Sequence, residues 1–218
     1  PGAIEALTAL SGRGARIAVV TGRDVATVLR LGGLDSVPGL VVAGLYGLET
    51  WRDGELSSPE TPPVIEALRE RLPVTVAGAD PAIWIEDKRL SLVVHARRAA
   101  DPESALAAVR PGVSALADEL GFELHPGSGV LELRLPGSDK GAAIARLVKE
   151  FAPSAVLYLG DDLGDLPAFE LMRQLRGAGT PAWGVAVTSS GVPEVAAAGD
   201  VVLPDAAAAV LLLAALAD

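Results

Sequence analysis

"LYLGDDLGDLPAFE" (157–170) passes directly from an apolar run to three aspartates, Asp161, Asp162 and Asp165. Like charges gathered this closely repel one another. Hard carboxylate oxygens grouped at a strand end suit Mg²⁺, which prefers oxygen ligands and keeps several of its waters. The other reading is a solvated acidic turn in which Asp161 or Asp162 caps the following helix.

Outward from this stretch, short runs rich in Val, Ile and Leu recur: "RIAVVT" 16–21, "LVVAG" 40–44, "AVLYLG" 155–160, "WGVAVT" 183–188 and "DVVLP" 200–204. Runs this apolar, without alternation, predict strands buried on both faces of a parallel sheet. Helical patterns fall between them at 2–11, 24–31, 139–151, 165–176 and 192–198, with Pro1 suiting a first helical turn. The alternation predicts one open α/β sheet with right-handed crossovers, whose ligands bind beyond the carboxyl ends of the strands. "AAAAVLLLAALA" (206–217) is 12 residues long, short of the roughly 20 that span a bilayer, and is expected to be a C-terminal helix packed on the core.

The middle third has a different pattern. After the Pro-rich break "SSPETPP" (57–63) comes a helix, then "AIWIEDKRLSLVVHARR" (82–98), two apolar-rich arms about a charged turn, which is a hairpin signal. A helix at 101–120 precedes "FELHPGSGVLELRLPG", a second hairpin with its turn expected at Pro126-Gly127. The organisation expected is a core of residues 1–57 and 136–218, interrupted by an inserted α+β unit at 58–135.

Half of the 218 residues are hydrophobic and 21% are charged, which favours a folded globule over disorder. A net charge of −10 argues against nucleic acid as a partner, and would repel a phosphorylated ligand unless a cation or a basic pocket intervened. The chain has no cysteine, so disulfides and thiolate metal sites are excluded. No membrane partner is expected. No signal peptide is seen, and a cytoplasmic location is the expectation.

Two further strand ends carry chemistry. In "VVTGRD", Thr21 ends a strand and Asp24 can cap the next helix, leaving a hydroxyl beside free N–H groups that suit an anion; a merely capped turn is the alternative. In "PGSDKGAAIARLVKE", Ser138 or Asp139 can cap a helix whose first turn holds Lys140. A cation there faces the positive end of the helix dipole and needs a carboxylate or a bound phosphate beside it, unless it is simply solvated.

A hydroxyl, a lysine and an acid cluster, in that order along the chain, resemble the haloacid-dehalogenase phosphohydrolases and, within them, the trehalose-6-phosphate phosphatases. The motifs stand here as Thr21-Gly22-Arg23, "GLYGLE" 44–49, Glu86-Asp87-Lys88 with His95-Ala96-Arg97, Lys140-Gly141, and "GDDLGD" 160–165. They cover nearly the whole chain, and the "EDK…HAR" stretch is the most specific to the trehalose branch. The resemblance implies a Rossmann-like core with an α+β cap. It implies Mg²⁺ on Asp161 and Asp162 with Asp165 in support, and Thr21 and Lys140 on the transferring phosphoryl group. Arg23, Glu49, Glu86, Lys88, His95, Arg97 and Glu132 would hold the sugar phosphate. Trehalose 6-phosphate is the implied substrate, and the enzyme that makes it an implied partner.

The chain departs from that pattern in three places. Leu45-Tyr46 replaces a frequent Asn-His, and Leu166 replaces a frequent Glu. The Asp-x-Asp-Gly-Thr of the family, whose first Asp attacks phosphorus and whose second serves as acid and base, is absent from the 218 residues. In the family its strand lies inside the sheet, so two interior strands are expected to be left with unpaired edges. An upstream segment carrying that strand is therefore expected, and the chain as given is expected not to turn over. The competing expectations are a catalytically silent phosphatase-like domain with a binding or regulatory role, and a sibling phosphatase acting on sucrose 6-phosphate or a related ester.

Overall fold

The computed structural model describes residues 2–218, the side chains of Leu31 and Ser190 apart; the expectation for Pro1 lies outside the described residues. The elements run α1 (Ala3–Gly12), β1 (Ala18–Val20), α2 (Val25–Gly32), β2 (Val41–Gly44), β3 (Glu49–Arg52), β4 (Glu55–Ser57), α3 (Pro63–Thr75), β5 (Trp84–Asp87), β6 (Ser91–His95), α4 (Pro102–Leu120), β7 (Glu123–Gly127) and β8 (Val130–Arg134). They continue with α5 (Lys140–Phe151), β9 (Val156–Gly160), α6 (Leu166–Gly177), β10 (Ala182–Val187), α7 (Pro193–Ala198), β11 (Val201–Leu203) and α8 (Ala206–Ala217). Two compact units result, one from the residues up to Ser58 together with Asp139–Asp218, the other from Pro59–Ser138. Among the described residues no helix is long and apolar enough to cross a membrane.

In the first unit all the apolar runs become strands, yet they do not join into one sheet. β1 pairs in parallel with β2, which continues through the antiparallel β3 and β4. β9, β10 and β11 form a second, parallel sheet in the order β11-β10-β9. Side chains of α1 and α2, including Ile4, Val25 and Val28, pack with Val42 and Val19 on the first sheet. Phe169 and Met172 of α6 pack on Ala186 and Ala182 of the second.

β1 and β9 are nonetheless parallel, because both run antiparallel to α5. Arg146 of α5 donates to the carbonyls of Tyr46 (3.3 Å) and Gly47 (3.2 Å), and the Tyr46 N–H bonds the Thr21 carbonyl (2.9 Å). The end of β1 is thereby held toward the N-terminal part of α5. At the opposite end, the Arg16 guanidinium lies 5.8 Å from the ring centroid of Phe151, the last residue of α5. β9 starts just after α5 and leads into the acidic loop that meets Lys140, the first residue of α5.

Among the described residues β1 and β9 are not paired with each other. A cavity of about 350 Å³ separates them, lined by Ala18 and Val20, Leu157 and Leu159, and Ile144 and Phe151. This corrects the expectation of one sheet. It also corrects the expectation of burial on both faces, which holds throughout β2 but fails for β1, β9 and β11, where Leu157 is 39% and Val201 43% exposed. The C-terminal helix forms as expected but lies against α1 and buries only Ala209 among the described residues; Leu211 is 71% exposed.

The second unit is a four-stranded antiparallel sheet, β5-β6-β8-β7, with α3 and α4 on one face. Strand alternation divides it cleanly. Leu92, Val94, Leu131 and Leu133 pack with Leu68 and Val113 of the helices, and the opposite face carries Trp84, Glu86, Ser91, His95, Glu132 and Arg134. The second hairpin turns at Ser128-Gly129 instead of Pro126-Gly127, which belong to β7. Proline is tolerated there because β7 is an edge strand.

Candidate active site

The acidic loop is organised by one buried carboxylate. Asp165 is 1% exposed. Its Oδ2 accepts the backbone N–H groups of Asp161 (2.7 Å) and Asp162 (2.9 Å), and its Oδ1 accepts Lys140 Nζ and the Tyr158 hydroxyl. Burial pushes the Asp165 carboxyl upward, but the Lys140 charge and the hydrogen bonds outweigh it and hold the group below its usual range. Gly160 permits this closeness, since a Cβ there would meet Asp165 Cγ at 2.6 Å.

Lys140 follows Asp139, whose side chain accepts the Ala142 N–H at 2.8 Å and so caps α5. Ser138, the other candidate cap, is buried with its hydroxyl unpartnered. The Lys140 ammonium stands 3.7 Å from Asp162 as well as against Asp165. The carboxylate compensation expected for a cation at a helix start is thus present.

Asp161 and Asp162 remain exposed, and one oxygen from each lies within 4.8 Å of the others and of Asp165. Partial burial, then the charges of Asp165 and Asp162, raise the Asp161 carboxyl above its usual range. Three carboxylates against one ammonium leave the loop with a formal charge of −2, which a hard divalent cation would neutralise. Asp161 and Asp162 can offer it oxygens. Asp165, with both oxygens engaged, holds the loop that presents them.

Thr21 ends β1, its hydroxyl accepting the Arg23 N–H at 3.1 Å. Through Tyr46 and Arg146 it lies on the same side of the unit as the N-terminal part of α5. Asp24 caps α2 by accepting the Thr27 N–H at 2.8 Å, and Arg23 beside it is exposed. Glu49 is buried and accepts the Val25 N–H (3.0 Å) and the Ser58 hydroxyl (3.3 Å), so it braces the start of α2. Leu45 and Tyr46, together one of the three departures from the resemblance, are left-handed (φ 47° and 59°).

On the polar face of the second unit, Glu132 collects Lys88 (3.3 Å), Ser91 (2.9 Å) and Arg134 (2.6 Å). Burial raises its carboxyl, but Arg134 and Lys88 together outweigh that and lower it below the usual range. Glu86 holds His95 through Nε2 at 2.9 Å. Arg97 stands apart from both groups, donating to the Ser128 carbonyl at 2.9 Å. Sequence reasoning missed Tyr158, Arg134, Ser91 and Trp84. The alternation in "LELR" places Arg134 on the face of Glu132, a signal available from the start.

Thr21 just beyond β1, the Gly-Asp-Asp loop at the end of β9 and Lys140 at the start of α5 stand on a unit interrupted by an α+β insertion. Lys140 therefore follows the inserted unit and not, as expected, a strand of the first unit. A haloacid dehalogenase-like hydrolase from Bacteroides thetaiotaomicron shares the fold, with a TM-score of 0.69 at 16% identity over 98% of this chain and 91% of that one. The chain belongs to the trehalose-phosphatase family, whose profile matches residues 1–204. It is 32% identical over 187 residues to the trehalose-phosphate phosphatase of Mycobacterium tuberculosis, a match over 79% of this chain and 45% of the relative. The chain therefore spans a little under half the length of the curated relatives it matches. The C-terminal domain of a Candida albicans trehalose synthase regulatory protein also shares the fold, with a TM-score of 0.73 at 14% identity over 100% of this chain and 86% of that one.

Proposed function

We propose that this chain carries most of a phosphatase that hydrolyses trehalose 6-phosphate to trehalose and inorganic phosphate, and that Mg²⁺ is its metal. The observation that carries the reading is the pairing of Lys140 with Asp162 and Asp165 at the first residue of a helix, in a chain with relatives named trehalose-phosphate phosphatase. Phosphoryl transfer needs positioning and charge neutralisation above all. Asp161 and Asp162 would hold the ion, which neutralises charge on the phosphoryl oxygens when bound. Lys140 and Thr21 would bind the same oxygens, and Asp165 would keep the loop and the lysine in place. Glu86, Lys88, His95 and Glu132, with Arg23, Glu49 and Arg97, would bind the sugar phosphate. A cytoplasmic location and a partnership with the synthase that makes the ester go with this reading.

The attacking carboxylate is absent from the 218 residues. We infer that it arrives on a strand lying between β1 and β9, upstream in the same polypeptide, as an aspartate that forms an aspartyl-phosphate. The apolar cavity and the two unpaired parallel edges support this, because an extended segment there would pair with both neighbours at once. The test is phosphate release by the complete reading frame, with and without Mg²⁺, from trehalose, sucrose and glucose 6-phosphates. Release from the trehalose ester alone is the expected result, and preference for another ester would move the chain to a sibling sugar phosphatase.

The second reading is a silent domain with a binding or regulatory role. It is favoured by the fold shared with the Candida regulatory protein domain and by the missing Asp-x-Asp. Reading the coding sequence upstream of Pro1 decides between the two: an in-frame Asp-x-Asp-Gly-Thr supports the enzyme, and a degraded motif supports the silent domain.

A further inference from the structure

Trp84 and His95 face each other directly across β5 and β6, and their rings are stacked with centroids 3.9 Å apart and planes within 5°. The stack is held from both ends. Glu86 grips His95 through Nε2 at 2.9 Å, and the Arg98 guanidinium stands 5.3 Å from the centroid of the Trp84 ring. His95 is 8% exposed, so its ring orientation is fixed by these neighbours.

The stack leaves two buried polar atoms without a partner, Trp84 Nε1 and His95 Nδ1. An indole N–H is a donor only, and an imidazole Nδ1 can donate or accept. A buried N–H or ring nitrogen left unbonded is costly, and each instance calls for an occupant. Both belong to a single rigid stack on the polar face of the sheet, the face that also carries Glu132 and Ser91. Sugar hydroxyls, which both donate and accept, are chemically suited to an indole N–H and an imidazole nitrogen.

Resting on the sugar-phosphate reading above, we propose that Trp84 is a further sugar-binding residue. It stacks on His95 to fix that ring and, with it, presents an indole N–H and an imidazole nitrogen to hydroxyls of the sugar.

The chain has two histidines, His95 and His125, so imidazole NMR signals of the whole 218-residue protein report on this stack with His125 as an internal reference. Trehalose, sucrose and glucose, free and as 6-phosphates, are titrated into the wild type, Trp84→Phe and Trp84→Leu. The expected result is that trehalose shifts the His95 signals and leaves those of His125 in place. Trp84→Phe, which keeps a ring but loses the N–H, weakens trehalose binding about fivefold to tenfold, as for one lost hydrogen bond. Trp84→Leu weakens it at least as much and also moves the His95 signals of the free protein. Binding of trehalose 6-phosphate with His95 unmoved, or with unchanged affinity in Trp84→Phe, overturns the assignment of Trp84 and leaves the substrate reading standing. A response to sucrose or glucose, lost in Trp84→Phe, with none to trehalose, keeps Trp84 as a sugar contact and overturns the choice of trehalose.

Discussion

Lys140 and Asp165, 25 residues apart in sequence, close into a largely buried ion pair at the start of α5. The same carboxylate ties down the backbone of Asp161 and Asp162, so one aspartate links the lysine to the loop proposed to hold the metal.

Removing that aspartate alone strands the ammonium. Asp165→Ala is expected to destabilise the first unit by about 3–5 kcal/mol, the range for breaking one side of a buried pair. Adding Lys140→Met to Asp165→Ala should recover part of the loss, because the unpaired charge is gone. Urea unfolding of the two variants measures this, and equal losses would show that the pair is not coupled.

Divalent binding should depend on the exposed pair of acids. Asp161→Asn and Asp162→Asn each remove one charge facing the ion and are expected to weaken Mg²⁺ binding at least about tenfold, or about 1.4 kcal/mol. Calorimetric titration of the 218-residue chain gives the comparison, with Asp53→Asn, in the turn between β3 and β4, as an unaffected control.

The second unit should lose stability in acid through Glu132. Its carboxyl is held below the ordinary value of 4.5 by Arg134 and Lys88. A depressed folded value means that the contribution is complete above about pH 4.5 and fades as pH falls through the folded value. Denaturant midpoints between pH 3 and pH 7 should therefore fall more steeply below 4.5 in the wild type than in Glu132→Gln, and parallel curves would remove Glu132 from the account.

Hydrogen exchange should find the open edges. Alternate amides of Ala18–Val20 and Val156–Gly160 face no paired strand, so they are expected to exchange faster than those of β2 and β10, which are paired on both sides. Uniform protection across the four strands would mean that the gap between β1 and β9 is closed in solution.

Much of this architecture was legible because apolar runs such as "LVVAG" have no alternation to misread, and because Asp24 and Asp139 cap the helices they precede. The hairpin β3–β4 escaped although Asp53-Gly54 is a strong turn signal; both residues have positive φ (53° and 85°), as a type I′ turn requires. Its strand residues are largely polar, so no apolar run drew attention to them. The acid loop was legible as a cluster, but the division of labour within it was not. That Asp165 is the buried organiser depends on Tyr158, and only the folded strand shows that this tyrosine points at the loop. The left-handed backbone of Leu45 and Tyr46 was equally invisible, since neither residue type favours it.

Two bare strand margins flanking an oily trench have a practical consequence for whoever handles the isolated chain. Each margin is a template that a neighbouring molecule's margin can copy, and Leu157 and Trp183 lie half-uncovered beside one of them. Concentrated stocks should turn cloudy with a strong dependence on concentration, and a fusion that fills the trench should keep them clear.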